Sequence, residues 1–420
     1  MSLEGGRLAF QGLPGLGAGV MDGINEDYRS TAIQRIRRNV LATAGILTSA
    51  SIARTKCGYV GGRGLDVLLR FAPVIVFVVA TGCAGPSTNI PKVSANEIAS
   101  EKVQEQIFQI QKEASDSARL ANVAYRIELA NRADCQDRIG PRVGLYAISL
   151  ADLPVDTRPA AVAALNLVGD QPTIINVVDG SPAAKAGVFR GDTLIAVSNE
   201  PAPNTKVGEW LNERIKRNGV QPLNITTARA GQTRSITIVP EVVCSIPVIL
   251  ANSSQANAFT DGQKIVIYSR ILQVAQSDDE LALVVGHELA HVNMKHIEKH
   301  TENQVAGVLG GAILDVVFAL NRVNTGAAFS RAGGNIGAKA YSMDFEKEAD
   351  YVGAYYVARA GYNVVGAERL WRAMAQENPK EMVYAGLHPT SPERFVQMQK
   401  TSEEILRKRH LNQSLTPEMM

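Results

Sequence analysis

Apolar positions recur along this chain with two different periods. Between residues 98 and 135, Val103, Ile107, Ile110, Ala114, Ala118 and Ala121 are spaced for one face of a helix, which predicts a single long amphipathic element. Between 141 and 243 the apolar runs are short and punctuated by turn residues. Strands are predicted at 174–178 and 193–197 around a helical turn at 182–186, a longer helix at 207–217, and strands at 225–227 and 235–239 across an Ala230-Gly231 turn. Helical spacing returns after 244, with an apolar helix from about Leu281 and a closing amphipathic one over 392–409. The pattern predicts an α+β chain, mostly helical, with a β-rich segment in its middle.

Two further apolar runs need separate treatment. Phe71 to Gly82 is too short to span a bilayer comfortably and follows Leu68-Leu69-Arg70, so it suits the core of a signal peptide. Val305 to Leu320 contains Gly307, Gly310, Gly311 and a central Asp315, which reads as a helix leading into a Gly-rich flap that runs on to Gly337 and covers a cleft. The net charge of +2 gives no nucleic-acid footprint.

The candidate chemistry lies in His287-Glu288-Leu289-Ala290-His291. Residues four apart share a helix face, so both imidazoles can bind one zinc ion while Glu288 serves as general base towards water. Two surface histidines would be the bland alternative. Leu281, Leu283, Val284 and Val285 speak against it, because they predict a buried helix whose polar groups need partners. A catalytic zinc takes a third protein ligand. Met294 and Ile297 stand where a metzincin would have its glycine and histidine, so the third ligand must come from elsewhere. Glu346 and Asp350 lie one helical turn apart; Glu346 is the candidate ligand and Asp350 a partner that holds a histidine ring. Glu348 points about 200° away from Glu346 and is expected to be dispensable. His296 and His300, flanked by Lys295 and Lys299, read as the solvated end of the motif helix.

Four ordered segments carry a family resemblance: Asn257 to Ile267, Val285 to His291, Glu346 to Asp350, and His388-Pro389 with Arg394. Together they resemble the HtpX/Oma/CAAX-prenyl-protease zinc metallopeptidases, and more closely their periplasmic BepA/LoiP-like lipoprotein branch. The resemblance implies a helical zincin (minigluzincin-like) fold with a small sheet, zinc held by His287, His291 and Glu346, and Glu288 as base. It also implies an edge strand through Asn257, Ala258 and Phe259 that receives an extended protein or peptide substrate. His388 is implied near the metal, either stabilising the oxyanion or capping the resting site; its alternative is a loop-initiating His-Pro whose ring only packs.

Asp179 to Val197 is similar to the core of HtrA-type PDZ domains, which capture peptides by strand addition; the binding loop would lie near Val143-Gly144-Leu145-Tyr146. The 98–135 helix resembles the peptidase family's opening helix, so the PDZ-like unit interrupts the peptidase. Ala80-Thr81-Gly82-Cys83 resembles a lipobox, which implies lipidation of Cys83 and periplasmic export with a lipid anchor in the outer or inner membrane, Ala84 favouring the outer one. Cys135 and Cys244 bracket the insertion and would pair in an oxidising compartment, the alternative being two buried thiols.

The expected layout is a non-native extension at 1–66, a signal peptide at 67–83, a linker at 84–97, the peptidase's opening helix at 98–140, the PDZ-like unit at 141–243 and the peptidase domain at 244–420. The function this implies is zinc-dependent endoproteolysis of misfolded or unassembled envelope proteins. The alternative is a non-proteolytic chaperone or assembly factor that uses both folds for binding.

Overall fold

The computed structural model describes residues 88–320, 331, 342–366, 368–377, 388 and 391–419. The extension, the signal segment with Cys83 and almost all of the Gly-rich stretch after Leu320 lie outside them. Ser94 and Glu97 cap the first helix by exchanging backbone-to-side-chain hydrogen bonds.

That helix, α1 (Ala95–Ala130), buries its apolar face from Ile110 onward. Ile110 and Ala114 pack towards the β-rich unit, whereas Leu120, Val123, Ala124 and Ile127 enter the helical core. A 3-10 turn at Arg132–Cys135 then leads into β1 (Ile139–Arg142), which pairs antiparallel with β8 (Glu241–Cys244). These two strands are the entry and exit of the insertion. Cys135 and Cys244 are disulfide-bonded beside them, with Cα atoms 5.6 Å apart.

Between the two crossings run β2 (Leu145–Ile148), α2 (Arg158–Leu165), β3 (Thr173–Val177), α3 (Pro182–Lys185), β4 (Thr193–Val197), β5 (Glu200–Pro201), α4 (Val207–Asn218), β6 (Leu223–Arg229) and β7 (Gln232–Ile238). The sheet order is β2-β3-β4-β6-β7, with β5 on β4. Strand alternation sends Leu145, Ala147, Ile174, Leu194, Ile225 and Ile238 into one core with Leu211 and Ile215 of α4. The β6–β7 turn is carried by Ala230 and Gly231, both with positive φ (49° and 79°), the conformation that a two-residue hairpin requires. Within this β-rich unit, β2 lies at one edge of the sheet.

After β8, β9 (Val248–Ala251), β10 (Ala258–Thr260) and β11 (Ile265–Tyr268) make a small sheet in the order β10-β11-β9, so β10 is an edge strand among the described residues. Among the described residues six helices follow: α5 (Ser269–Val274), α6 (Asp278–Asn293), α7 (His296–Leu320), α8 (Ser342–Arg359), α9 (Glu368–Glu377) and α10 (Pro392–His410). Ser277 caps α6 by accepting from the Glu280 amide, and Asp278, Asp279 and Glu280 suit its positive end. Every residue from Leu281 to Val292 is buried, which makes α6 the central helix of the core. Gly286 and Gly353 let α6 and α8 touch: a Cβ at 353 would stand 2.9 Å from both the amide nitrogen and Cα of His287. Their close crossing sets the distance between the two ligand-bearing helices.

The motif helix does not continue to His300. Lys295 has φ 57°, a left-handed conformation that ends α6 and redirects the chain, so α7 starts as a separate helix at His296. Among the described residues no helix is long and apolar enough to cross a membrane.

Candidate metal centre

One turn of α6 points His287 and His291 at the start of α8. Their Nε2 atoms are 3.0 Å apart, and the Glu346 carboxylate lies 3.4 Å from the first and 3.3 Å from the second. All three residues are buried. Two atoms bound tetrahedrally to one zinc at about 2.0–2.2 Å are separated by roughly 3.4 Å. The donor set therefore has the span zinc needs. It also has the chemistry, because two imidazole nitrogens and a carboxylate facing one point are mainly acceptors that a cation reconciles.

His388 completes a group of four. Its Nδ1 lies 3.2 Å from His287 Nε2 and 3.1 Å from each Glu346 oxygen, and all four ligand atoms fall within 4.8 Å of one another. The other ring nitrogen is 3.2 Å from Glu288 Oε1. Glu288 itself is buried, and its Oε2 has no partner among the described residues. Burial pushes the Glu288 carboxyl up, against the pull of His388 and His287.

Behind the ligands stands a second layer of contacts. Asp350 Oδ1 is 3.0 Å from His287 Nδ1, at ion-pair distance although off the line of a well-formed hydrogen bond. Arg394, from the first turn of α10, donates to both Asp350 oxygens at 2.7 and 2.8 Å and lies 3.0 Å from Glu346 Oε2. Burial would raise the Asp350 carboxyl, but Arg394 and His287 hold it below its usual value. For Glu346 burial is likewise outweighed, by His388, His287 and His291, and its carboxyl sits well below the ordinary range. The Trp371 ring packs on His287 with centroids 5.1 Å apart.

Two expectations change here. His296 is no solvated helix end: it is 2% exposed, its Nδ1 is 2.9 Å from His291 Nδ1, and its Nε2 is 2.7 Å from Glu348 Oε2. The left-handed Lys295 is the reason, since it turns the chain back beneath His291. Glu348 does point away from the ligand atoms, yet it engages His296 and is not idle. Of the expected substrate strand, Ala258 and Phe259 lie in β10, and the carbonyl of Asn257 just before it accepts from the Tyr268 amide. Sequence reasoning also missed the Trp371 contact, which no local pattern announces, and assigned no role to Arg394.

The family model described as Peptidase family M48 matches residues 245–402. Among curated relatives, the beta-barrel assembly-enhancing protease of Yersinia pestis is 27% identical over 159 residues, 35% of this chain and 32% of that protein. The mitochondrial metalloendopeptidase OMA1 of Saccharomyces cerevisiae is 28% identical over 163 residues, 37% of this chain and 46% of its own. The matched part thus spans less than half the length of either relative. Among solved structures, the HtrA3 PDZ domain bound to a phage-derived ligand aligns at 21% identity over 25% of this chain and 88% of that one, with a TM-score of 0.20. With its two histidines and glutamate converging as described, the 245–402 region matches the model of peptidase family M48 and carries a His/His/Glu metal-binding cluster typical of that family's zinc metallopeptidases.

Proposed function

We propose that the protein is a zinc-dependent endopeptidase of the bacterial cell envelope that hydrolyses misfolded or unassembled envelope proteins. The observation that carries this is the convergence of His287, His291 and Glu346 with a buried, under-partnered Glu288 beside them. His287, His291 and Glu346 would hold the metal, which supplies Lewis acidity to water and to the peptide carbonyl. Glu288, its proton affinity raised by burial, takes a proton from the attacking water and returns it to the leaving amine. The edge of β10 away from β11, which pairs with no other strand among the described residues, offers backbone groups to an extended substrate. Strand β2 of the PDZ-like unit offers a second such edge, for peptide capture or regulation.

His388 belongs to this reading as a cap. It stands at the fourth corner of the ligand set and touches Glu288, so water and substrate enter when it withdraws. The envelope location rests on the Ala80-to-Cys83 resemblance and on the named role of the Yersinia relative in β-barrel assembly. Digestion of an unfolded outer-membrane protein tests the reading. Wild type should cleave it and Glu288→Gln, with equal zinc content, should not. Equal behaviour of the two would favour a binding module instead.

A further inference from the structure

The two metal-binding histidines are supported differently. His287 faces a carboxylate, Asp350, itself clamped by Arg394. His291 faces another imidazole: its Nδ1 meets His296 Nδ1 at 2.9 Å, and His296 Nε2 meets Glu348 Oε2 at 2.7 Å. The Phe345 ring lies flat on His296, with centroids 4.7 Å apart and an interplanar angle of 16°, which fixes the plane in which that imidazole can bond. His296 is 2% exposed, so the chain of contacts is sealed from solvent until Glu348, whose side chain is 36% exposed.

Proton counting orders this chain. Two Nδ1 atoms in contact need one donor and one acceptor. When His291 offers its Nε2 to a metal, its proton stands on Nδ1, so His291 donates and His296 accepts. The proton of His296 is then on Nε2, where Glu348 accepts it. With both rings neutral, one arrangement of tautomers satisfies both hydrogen bonds of this chain, the one in which His291 Nε2 faces the metal point with a free lone pair. We propose that His296 and Glu348 are positioning residues: a carboxylate–imidazole relay that locks the ring orientation and tautomer of His291 for metal binding. The proposal rests on the zinc reading above.

Substitution at His296 separates this role from simple space filling. His296→Asn keeps an acceptor, Oδ1, near the place of Nδ1, whereas His296→Leu keeps bulk and removes the acceptor. Zinc affinity measured by chelator competition should fall about 10- to 100-fold in His296→Leu, and His296→Asn should recover most of it. The visible spectrum of the cobalt-loaded protein should shift in His296→Leu and return towards wild type in His296→Asn. Melting of the metal-free proteins shows whether both variants are folded. Wild-type affinity and spectrum in a folded His296→Leu would overturn the relay, and so would equal losses in both variants. If His296→Leu does not fold, Glu348→Ala and Glu348→Gln decide: Ala should weaken zinc binding and Gln, which retains an acceptor, should restore it, while wild-type affinity in Glu348→Ala overturns the proposal. Failure of the wild type itself to bind zinc would instead overturn the metal reading.

Discussion

Gly353→Ala probes how the fold sets the metal geometry. The added Cβ would lie 2.9 Å from His287 N and Cα and 3.0 Å from the Gly286 carbonyl carbon. All three are backbone atoms inside a buried helix, so no side chain can rotate out of the way. To reach ordinary contact the helices must part locally by about 0.5 Å, a displacement that a close-packed core resists. Overpacking of this kind costs about 1–3 kcal/mol, and the backbone nature of the neighbours puts this site towards the upper end. For a folding unit of about 150–250 residues that corresponds to a fall in melting temperature of roughly 2–4 °C per kcal/mol. The same displacement moves His287 relative to Glu346, now 3.4 Å away. A metal site tolerates only about ±0.2 Å in its ligand distances. Gly353→Ala should therefore lose zinc affinity as well as stability. Thermal melting of the metal-free protein and chelator competition measure the two separately. A variant with wild-type melting and wild-type zinc affinity would refute the claim that this glycine contact sets the ligand spacing.

Three further outcomes follow from particular contacts. The Cys135–Cys244 bridge spans a separation of 109 residues, so replacing both cysteines with serine should cost up to roughly 5 kcal/mol in the chain-entropy limit, read by denaturant unfolding; free thiols at both positions in material from an oxidising compartment would contradict the pairing. Burial lifts the Glu128 carboxyl to about 7, against the pull of Arg142 at 3.2 Å. Because that lies above its ordinary 4.5, its contribution to stability is full below about pH 4.5 and is lost as pH rises to about 7; Glu128→Gln should flatten this slope in pH-dependent melting, and an unchanged slope would count against it. His388→Ala should uncap the site and raise turnover of a short unfolded peptide, whereas a large loss of turnover with zinc retained would make His388 a participant in the reaction.

What was legible in the sequence is what repeats locally. The i, i+4 spacing of His287 and His291, and of Glu346 and Asp350, is a property of one helix each, and an apolar run announces that the first helix is buried. The elements of the β-rich unit were legible for the same reason, through strand alternation and the Ala230-Gly231 turn. His296 was misread because helical spacing was extended past a residue, Lys295, whose left-handed backbone no side chain there advertises. Glu348 then looked idle, since its partner had been placed in solvent. Arg394 and Trp371 reach the centre from α10 and α9, and only tertiary packing brings them there. Gly353 could be read in sequence only as a weak spot in a helix, although the α6–α8 crossing depends on it.

The metal centre is most directly tested by anomalous scattering at the zinc edge from crystals of the zinc-loaded protein. The account predicts one strong peak at about 2.0–2.2 Å from His287 Nε2, His291 Nε2 and the Glu346 carboxylate. No peak at that point, or a peak held by His296 and Glu348 instead, would contradict it.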